Sequence, residues 1–192
     1  MADEPRCIDD VYVSKYRQEW LQALATEMGA MKEHKVWSLT ELPPGEHLID
    51  TKWLFSTKRD ELGNIERFKC RLVAKGFTQR PDIDFKEIYS PVCKYASVRI
   101  ILSIAAKLKL VTRHFDVSTA FLSADLSEKI FIKQPDGFED GTGRVCRLHK
   151  SLYGLRQSSR MFNLKLDAVL RKWDSRRATT IRACITGKAL EE

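Results

Sequence analysis

The sequence predicts an α+β fold, in which helices and antiparallel strands follow one another in mixed order. Three segments repeat apolar residues at helical spacing, and two strand-like segments flank a turn that contains a Gly-Asn pair. The composition agrees with a buried core, because 43% of the 192 residues are hydrophobic and 31% are charged. We therefore expect a globular chain of mixed helices with an antiparallel sheet.

The first helix is predicted over residues 15–34. Its apolar residues recur at helical spacing and form one stripe: Trp20, Leu24, Met28 and Met31. Such a stripe is typical of a helix that packs one face on a core. The helix cannot extend into "ELPPGEH" (41–47), because proline and glycine interrupt regular structure there.

A β-hairpin is predicted next, with strands at 49–60 and 65–77 around a turn at 61–64. The first strand carries aromatic residues in alternation, as a strand with one buried face does. The turn contains adjacent glycine and asparagine, and both tolerate the positive φ that a tight turn requires.

Basic residues occur throughout this hairpin: Lys52, Lys58, Arg59, Arg67, Lys69, Arg71 and Lys75. Because strand side chains alternate between faces, Lys69, Arg71 and Lys75 share a parity and could point the same way. A cationic face suits a phosphate-rich ligand. Charged residues also protect an exposed edge strand, so the hairpin alone leaves both interpretations open.

Shorter elements are predicted for the remainder of the chain. They are, in order, an irregular connector at 78–95, a helix at 96–108, a strand at 111–117, a short strand at 129–135, a Gly-rich turn region at 136–143, a strand at 144–150 and a helix at 157–173. The apolar faces expected on the two helices are Val98, Ile101, Leu102, Ala105 and Leu108, and Phe162, Leu166, Val169 and Leu170. Ser158 or Ser159 is available as the N-cap of the last helix.

The charge balance is basic, with a net charge of +7 and a pI near 9.2. A basic balance permits an anionic partner such as nucleic acid but does not demand one. No window approaches 18 apolar residues, so a membrane span is not expected. The first residues, "MADEPRCIDD", lack the apolar region of a secretory signal, and we expect an intracellular location, cytoplasmic or nuclear.

Asp116 is the candidate site residue with the most informative surroundings. It lies in "HFDVSTAFLSADL" (114–126), as the first acid of an otherwise apolar stretch where a strand is predicted to end. Taken alone, a carboxylate at a strand end before a turn is more often a cap than a ligand. Carboxylate oxygens are nevertheless the ligands that Mg²⁺ prefers, so both interpretations stay open at this point.

Five blocks taken together point to a family. They are residues 20–45, "TKWLFSTKRDELGNIERFKCRLVAKGFTQ" (51–79), "DIDFKEIYSPV" (82–92), "HFDVSTAFLSADLSEKIFIKQPDGF" (114–138) and "VCRLHKSLYGLRQSSRMF" (145–162). In this order they resemble the reverse transcriptase domain of copia-type LTR retrotransposon polyproteins. The resemblance runs from about residue 16 to about residue 172. It implies a lead-in at 1–15, a reverse transcriptase-like domain at 16–172 and a divergent tail at 173–192.

The resemblance implies a right-hand polymerase architecture with fingers and part of a palm. It also implies Mg²⁺ as cofactor, and an RNA template, a DNA primer and deoxynucleotides as partners. Asp116 matches the catalytic first metal ligand of the family, and the carbonyl of Val117 would assist it. The residues that match its nucleotide-binding positions are Lys58, Arg71, Lys75, Phe121, Tyr153, Gly154 and Gln157.

The sequence departs from the family at its second pair of metal-binding acids, a Tyr-x-Asp-Asp box. The only adjacent aspartates are Asp9 and Asp10, which precede the first block and so stand in the wrong order. One acid cannot hold two Mg²⁺ ions, so we expect the chain to be catalytically incomplete. Two alternatives remain: a non-catalytic nucleic-acid-binding or interaction module, and a remnant without function.

Overall fold

Helices and mainly antiparallel strands follow one another in mixed order in the computed structural model, which describes residues 4–172. The helices are α1 (Ile8–Val13), α2 (Arg17–Glu33), α3 (Tyr95–Lys107), α4 (Ala120–Ser123) and α5 (Ser158–Lys172). The strands are β1 (Trp37–Thr40), β2 (Leu48–Ile49), β3 (Thr51–Arg59), β4 (Ile65–Ala74), β5 (Phe131–Ile132) and β6 (Val145–Leu148). This architecture confirms the predicted α+β class. The tail at 173–192, expected to diverge from the family, lies outside the described residues.

The core forms where α2 packs against the β3–β4 hairpin. The four residues of the predicted stripe are all buried, which confirms that face of the helix: Trp20, Leu24, Met28 and Met31. The Trp20 ring meets Phe55 and Phe68 edge-on, at centroid distances of 5.5 and 4.7 Å. Val11 of α1 is also fully buried in this cluster.

The hairpin is confirmed, and its register runs from Thr51 opposite Ala74 to Arg59 opposite Ile65. The turn is held by the Asp60 carboxylate, which accepts backbone hydrogen bonds from Leu62 and Asn64 at 3.0 and 2.8 Å. The second strand is shorter than predicted, because the chain leaves the ladder after Ala74 and enters a single 3₁₀ turn at Gly76–Thr78.

The second sheet has four strands in the order β1-β6-β5-β2. The pair β2–β5 is parallel, and the other two pairs are antiparallel. Strands β5 and β6 confirm the predictions at 129–135 and 144–150, although each is shorter than expected. At two to four residues, β1 and β2 are too short for an alternating pattern to predict them.

The strand predicted at 111–117 is wrong, because these residues are irregular and mostly exposed. A strand needs a neighbour to bond its backbone, and within residues 4–172 no segment pairs with this one. Helix α3 is present, but its predicted core stripe is only partly correct. Among the buried residues it contributes Ala105, while Leu102 and Leu108 are exposed.

Helix α5 begins at Ser158, so both predicted N-cap serines lie inside the helix. The Ser158 hydroxyl donates to the carbonyl of Leu152 at 2.6 Å instead of capping. Of its predicted apolar face, Leu170 is buried and Val169 is exposed. None of the helices between residues 4 and 172 is long and apolar enough to cross a membrane.

Candidate functional site

An open cavity of about 930 Å³ lies between α2 and β4. One wall is the α2 face that neighbours the apolar stripe, from Gln18 to Ala30, and the facing wall is residues 66–71 of β4. Residues 116–119 and Tyr153 close one end. The cavity therefore brings together three parts of the chain that are far apart in the sequence, and four of the predicted site residues line it: Arg71, Asp116, Val117 and Tyr153.

Arg71 and Tyr153 are in contact at this closed end. The guanidinium carbon of Arg71 lies 5.4 Å from the centre of the Tyr153 ring, a cation–π arrangement. The other neighbour of Tyr153 is Phe121, at a centroid distance of 5.0 Å and an interplanar angle of 61°. Phe121 in turn meets Phe162 of α5 at 6.3 Å. Burial raises the pKa of the Tyr153 phenol, and the charge on Glu27 adds to this effect.

Asp116 and Val117 form the rim of the cavity and are exposed. Because no strand precedes Asp116, the carboxylate does not lie at a strand end, as the sequence predicted. The turn after it is fixed at Thr119, which has a positive φ of 53°. Thr119 is bonded to His34 at the end of α2, with 3.0 Å between its hydroxyl oxygen and Nε2. Since this hydroxyl donates to the Ser118 carbonyl, the Nε2–H of His34 is the donor.

Charges of both signs face the cavity. Glu27 accepts a hydrogen bond from the Leu72 amide at 3.4 Å, on the edge of β4 that does not face β3. Burial raises the pKa of Glu27, and this bond together with the charges of Arg71 and Lys69 opposes the rise. Burial also lowers the pKa of Lys69, as do the neighbouring cations Arg71 and Arg67.

The donor set does not fit two Mg²⁺ ions. Within residues 4–172, no group of three or more His, Cys, Asp or Glu side chains could hold a metal ion. Asp116 supplies one carboxylate at the rim, Glu27 is engaged with the Leu72 amide, and Glu66 is paired with Lys58. Glu19 also lines the cavity but forms no metal-binding group with them. Two divalent cations require several carboxylate oxygens in one place, and these residues do not provide them.

Gly154 explains how Tyr153 reaches this position. The Ala74 amide donates to the Tyr153 carbonyl at 2.8 Å, so the 153–154 turn docks on the end of β4. Gly154 has a φ of +88°, and a Cβ there would lie 2.2 Å from the Ala74 carbonyl oxygen. Gly76 faces it with a similar constraint, because a Cβ on Gly76 would lie 2.1 Å from the Gly154 oxygen. The two backbones can approach this closely only because both positions are glycine.

Five of the predicted nucleotide-binding residues do not line the cavity: Phe121 and Gly154 adjoin Tyr153, and the other three lie apart from it. Gln157 is fully buried and bonds other parts of the chain. Lys58 is near the hairpin turn and forms an exposed ion pair with Glu66 at 3.1 Å. Lys75 follows the end of β4 and approaches Asp50 at 3.4 Å. The predicted cationic face is therefore limited to Lys69 and Arg71, because the strand ends before Lys75.

Sequence reasoning missed the contribution of α2 to the cavity. Glu19, Ala23, Thr26 and Ala30 recur at helical spacing beside the apolar stripe, and all line the cavity. A second stripe of small and polar residues is the signal that could have predicted a groove along this helix. The role of Glu27 has no such signal, because it depends on an amide in β4.

Comparisons with known proteins agree on one family. Residues 34–188 match the family described as reverse transcriptase (RNA-dependent DNA polymerase). The chain is 42% identical over 170 residues to the retrovirus-related Pol polyprotein from transposon TNT 1-94 of Nicotiana tabacum, an alignment covering 88% of the chain and 13% of that protein. It is 38% identical over 154 residues to that from transposon RE2 of Arabidopsis thaliana, covering 79% and 11%.

A third relative is the retrovirus-related Pol polyprotein from transposon RE1 of Arabidopsis thaliana, 38% identical over 152 residues. That alignment covers 78% of the chain and 10% of the relative. The chain thus spans about a tenth of the length of these Pol polyproteins.

Proposed function

The chain belongs to the reverse transcriptase (RNA-dependent DNA polymerase) family of retrotransposon Pol polyproteins, and from this premise we propose that it is a fragment of a copia-type RNA-directed DNA polymerase that is inactive alone. Its partners in the complete enzyme would be an RNA template, a DNA primer and deoxynucleotides. Residues 16–172 would form fingers and part of a palm, preceded by a lead-in at 1–15 and followed by the tail at 173–192.

The observation that carries the proposal is the shared cavity of Arg71, Tyr153 and Asp116. Arg71 offers a planar guanidinium suited to a triphosphate, and it lies on the Tyr153 ring. Phe121 packs against the Tyr153 ring and would lie close to the sugar. Gly154 lets the turn approach β4, which keeps this set together. Lys58, Lys75 and Gln157 would act on the nucleotide only if the hairpin and the turn rearranged.

Inactivity of the chain alone follows from its carboxylates. The family uses divalent metal ions, and Mg²⁺ would be the ion for Asp116 and the Val117 carbonyl. Asp116 lines the cavity together with Glu19, Glu27 and Glu66, but within residues 4–172 these carboxylates form no group that could hold a metal ion, so the ions would be weakly bound and incompletely neutralised.

Primer extension tests the inactivity directly. The purified chain, given a primed RNA template, deoxynucleotides and Mg²⁺, should add no nucleotide. The Asp116→Ala variant, run in parallel, should give the same blank. Extension by the unchanged chain that disappears in Asp116→Ala would contradict the proposal.

A second candidate function is a non-catalytic nucleic-acid-binding module. The observation that favours it is the exposed, unpaired row of Arg67, Lys69 and Arg71 on β4, for which the described residues show no carboxylate ion pair. Cations of this kind replace the counterions of phosphates, so binding weakens steeply with salt.

The affinity for an RNA–DNA duplex, measured at several salt concentrations, tests this module. We expect Arg71→Ala to weaken binding and to reduce the salt slope by about 1. Arg147→Ala is the matched control, because Arg147 is an exposed arginine on β6, in the other sheet. Absent or salt-independent binding would exclude the module, and equal effects of the two variants would exclude a role for the cavity.

A further inference from the structure

A cluster of buried polar side chains joins the segment after β4 to the turn that carries Tyr153. Gln79 and Asp84 belong to the first segment, and Gln157 belongs to the second. They are 4%, 5% and 0% exposed, so each must find its hydrogen bonds inside the protein. None of the three lines the cavity.

The hydrogen bonds form a chain between the two segments. The Gln79 Oε1 accepts the Arg156 amide at 2.9 Å, and its Nε2 donates to the Gln157 Oε1 at 3.1 Å. The Nε2 of Gln157 then donates to the Asp84 carbonyl at 3.0 Å. Arg156 adds a bond from its Nε to the Gly76 carbonyl at 3.1 Å.

The orientation of both amides is fixed by backbone partners. An amide N–H can only donate, so the oxygen of Gln79 must face Arg156 and its nitrogen must face Gln157. A carbonyl can only accept, so the nitrogen of Gln157 must face Asp84 and its oxygen must face Gln79. The two requirements agree, and reversing either amide would place like atoms together. Glutamine is therefore required at both positions in this arrangement.

The cluster is linked through the 153–157 turn to the residues that contact each other in the cavity. Gln79 bonds Arg156, three residues after Tyr153, and the Tyr153 carbonyl is itself bonded to the Ala74 amide. With Gly154 against Gly76, the turn is held at its start, middle and end. In this position of the turn, the ring of Tyr153 contacts Arg71 and Phe121.

We propose that Gln79 is a positioning residue, which through Arg156 and Gln157 fixes the 153–157 turn on the end of β4 and so sets the contact between Tyr153 and Arg71. Gln157 acts in the same unit, as a buried support of the turn. The identity of the ligand rests on the proposed function. The positioning role of Gln79 is a property of the protein without a ligand.

The position of Tyr153 can be followed with fluorine. The chain contains five tyrosines, and in protein labelled with 3-fluorotyrosine the resonance of Tyr153 is assigned by its loss in Tyr153→Phe. Arg71→Met should shift this resonance, because the guanidinium lies over the ring. In Gln79→Met, which keeps the side-chain length without its hydrogen bonds, the shift caused by Arg71→Met should shrink at least twofold.

Gln134→Met is the matched control. Gln134 is likewise a hydrogen-bonded glutamine, with three side-chain bonds where Gln79 has two: its Nε2 donates to the Asp140 carboxylate and the Arg144 carbonyl, and its Oε1 accepts the Asp140 amide. It holds a different loop, so the Tyr153 resonance and its response to Arg71→Met should stay unchanged. An unchanged response in Gln79→Met, or an equal loss in Gln134→Met, would overturn the proposal.

If Gln79→Met does not fold, amide hydrogen exchange of the unaltered chain tests the positioning role instead. If Gln79 fixes the turn, the amides of Arg156 and Ala74 should open together, with protection factors within threefold of each other. Exchange at Arg156 at least tenfold faster than at Ala74 would overturn the proposal. No nucleotide is added in either experiment, so a negative result leaves the proposed function standing, and failure of nucleotide binding leaves the positioning role standing.

Discussion

At the residue scale, the roles of Glu27 and Gly154 in the site depend on the atoms that immediately surround them. Glu27 is a carboxylate whose surroundings are a strand-edge amide and two cations. Gly154 is a glycine whose missing Cβ is what allows two backbones to meet. Each makes a prediction that a matched residue elsewhere in the chain can test.

Gly154→Ala should be much more destabilising than Gly63→Ala. The two glycines have nearly the same φ, +88° and +85°, so an alanine is strained equally at both. A Cβ at Gly63 has open space, whereas at Gly154 it meets the Ala74 carbonyl oxygen at 2.2 Å. Urea unfolding should give a loss of about 1–2 kcal/mol for Gly63→Ala from backbone strain. For Gly154→Ala we expect more than about 3 kcal/mol, and equal losses would show that the two backbones can separate cheaply.

Glu27 should contribute less to the free energy of unfolding as the pH rises. Burial raises its pKa above the ordinary 4.5, so the folded protein keeps a proton that the unfolded chain has already lost. This contribution is complete below about pH 4.5 and is lost as the pH rises through the raised pKa. Stability of the unchanged chain should therefore fall relative to Glu27→Gln as the pH rises above about 4.5 and through the raised pKa.

Chemical unfolding at several pH values measures this difference. Asp84 and Asp125 have lowered pKa values, so their contributions to stability are lost as the pH falls. The unchanged chain and Glu27→Gln must therefore be compared with each other at each pH. Glu19→Gln is the control, because Glu19 is an exposed carboxylate on the same helix. A constant difference between the unchanged chain and Glu27→Gln would show that the carboxyl is not buried in solution.

At the element scale, predictions from the spacing of apolar residues are correct where an element shows a clear periodicity and the element it packs or pairs with is close in sequence. Helix α2 repeats its buried residues every three or four positions, and the hairpin contains both of its strands. The segment 111–117 is as apolar as a strand, but a strand also requires a neighbour, which sequence alone does not reveal. For the same reason the burial of Gln157 was not predicted, since it depends on Gln79.

The amides of residues 111–117 should exchange with solvent nearly as fast as in an unstructured chain. They have no backbone partner within the described part of the protein, and most of the segment is exposed. The amides by which β4 pairs with β3 are the internal reference and should be strongly protected. Protection of 111–117 comparable to that of β4 would mean that a partner strand joins this segment in solution.

At the scale of the whole molecule, apolar residues are buried in the main core but exposed around α3. The cluster of α2, the hairpin and the four-stranded sheet buries its apolar residues. Around α3, by contrast, Ile100, Ile104 and Leu110 are exposed in one neighbourhood of the sequence. Contiguous exposed apolar surface of this kind favours association.

Charged substitutions on α3 should therefore improve solubility without weakening the fold. Ile100 and Ile104 are 60% and 50% exposed and one helical turn apart. Light scattering of concentrated protein should fall in Ile100→Lys/Ile104→Lys, while the melting temperature stays within about 2 °C. Val13→Lys/Leu62→Lys is the control with the same added charge, because Val13 and Leu62 are 86% and 87% exposed and lie outside α3. Equal effects would mean that net charge, not the α3 surface, governs association.

The contact of Gly76 with Gly154 has a consequence for the order in which the protein folds. The neighbouring glutamine pair is 78 positions apart in the chain. At a synthesis rate of about 5–20 residues per second, the ribosome needs roughly 4–16 s to make the intervening segment. During that interval the newly made hairpin has its Ala74 amide unpaired and its Gly76 uncovered. The docking of Tyr153 is thus a late event of biosynthesis, and a chain released earlier would carry the hairpin without the site.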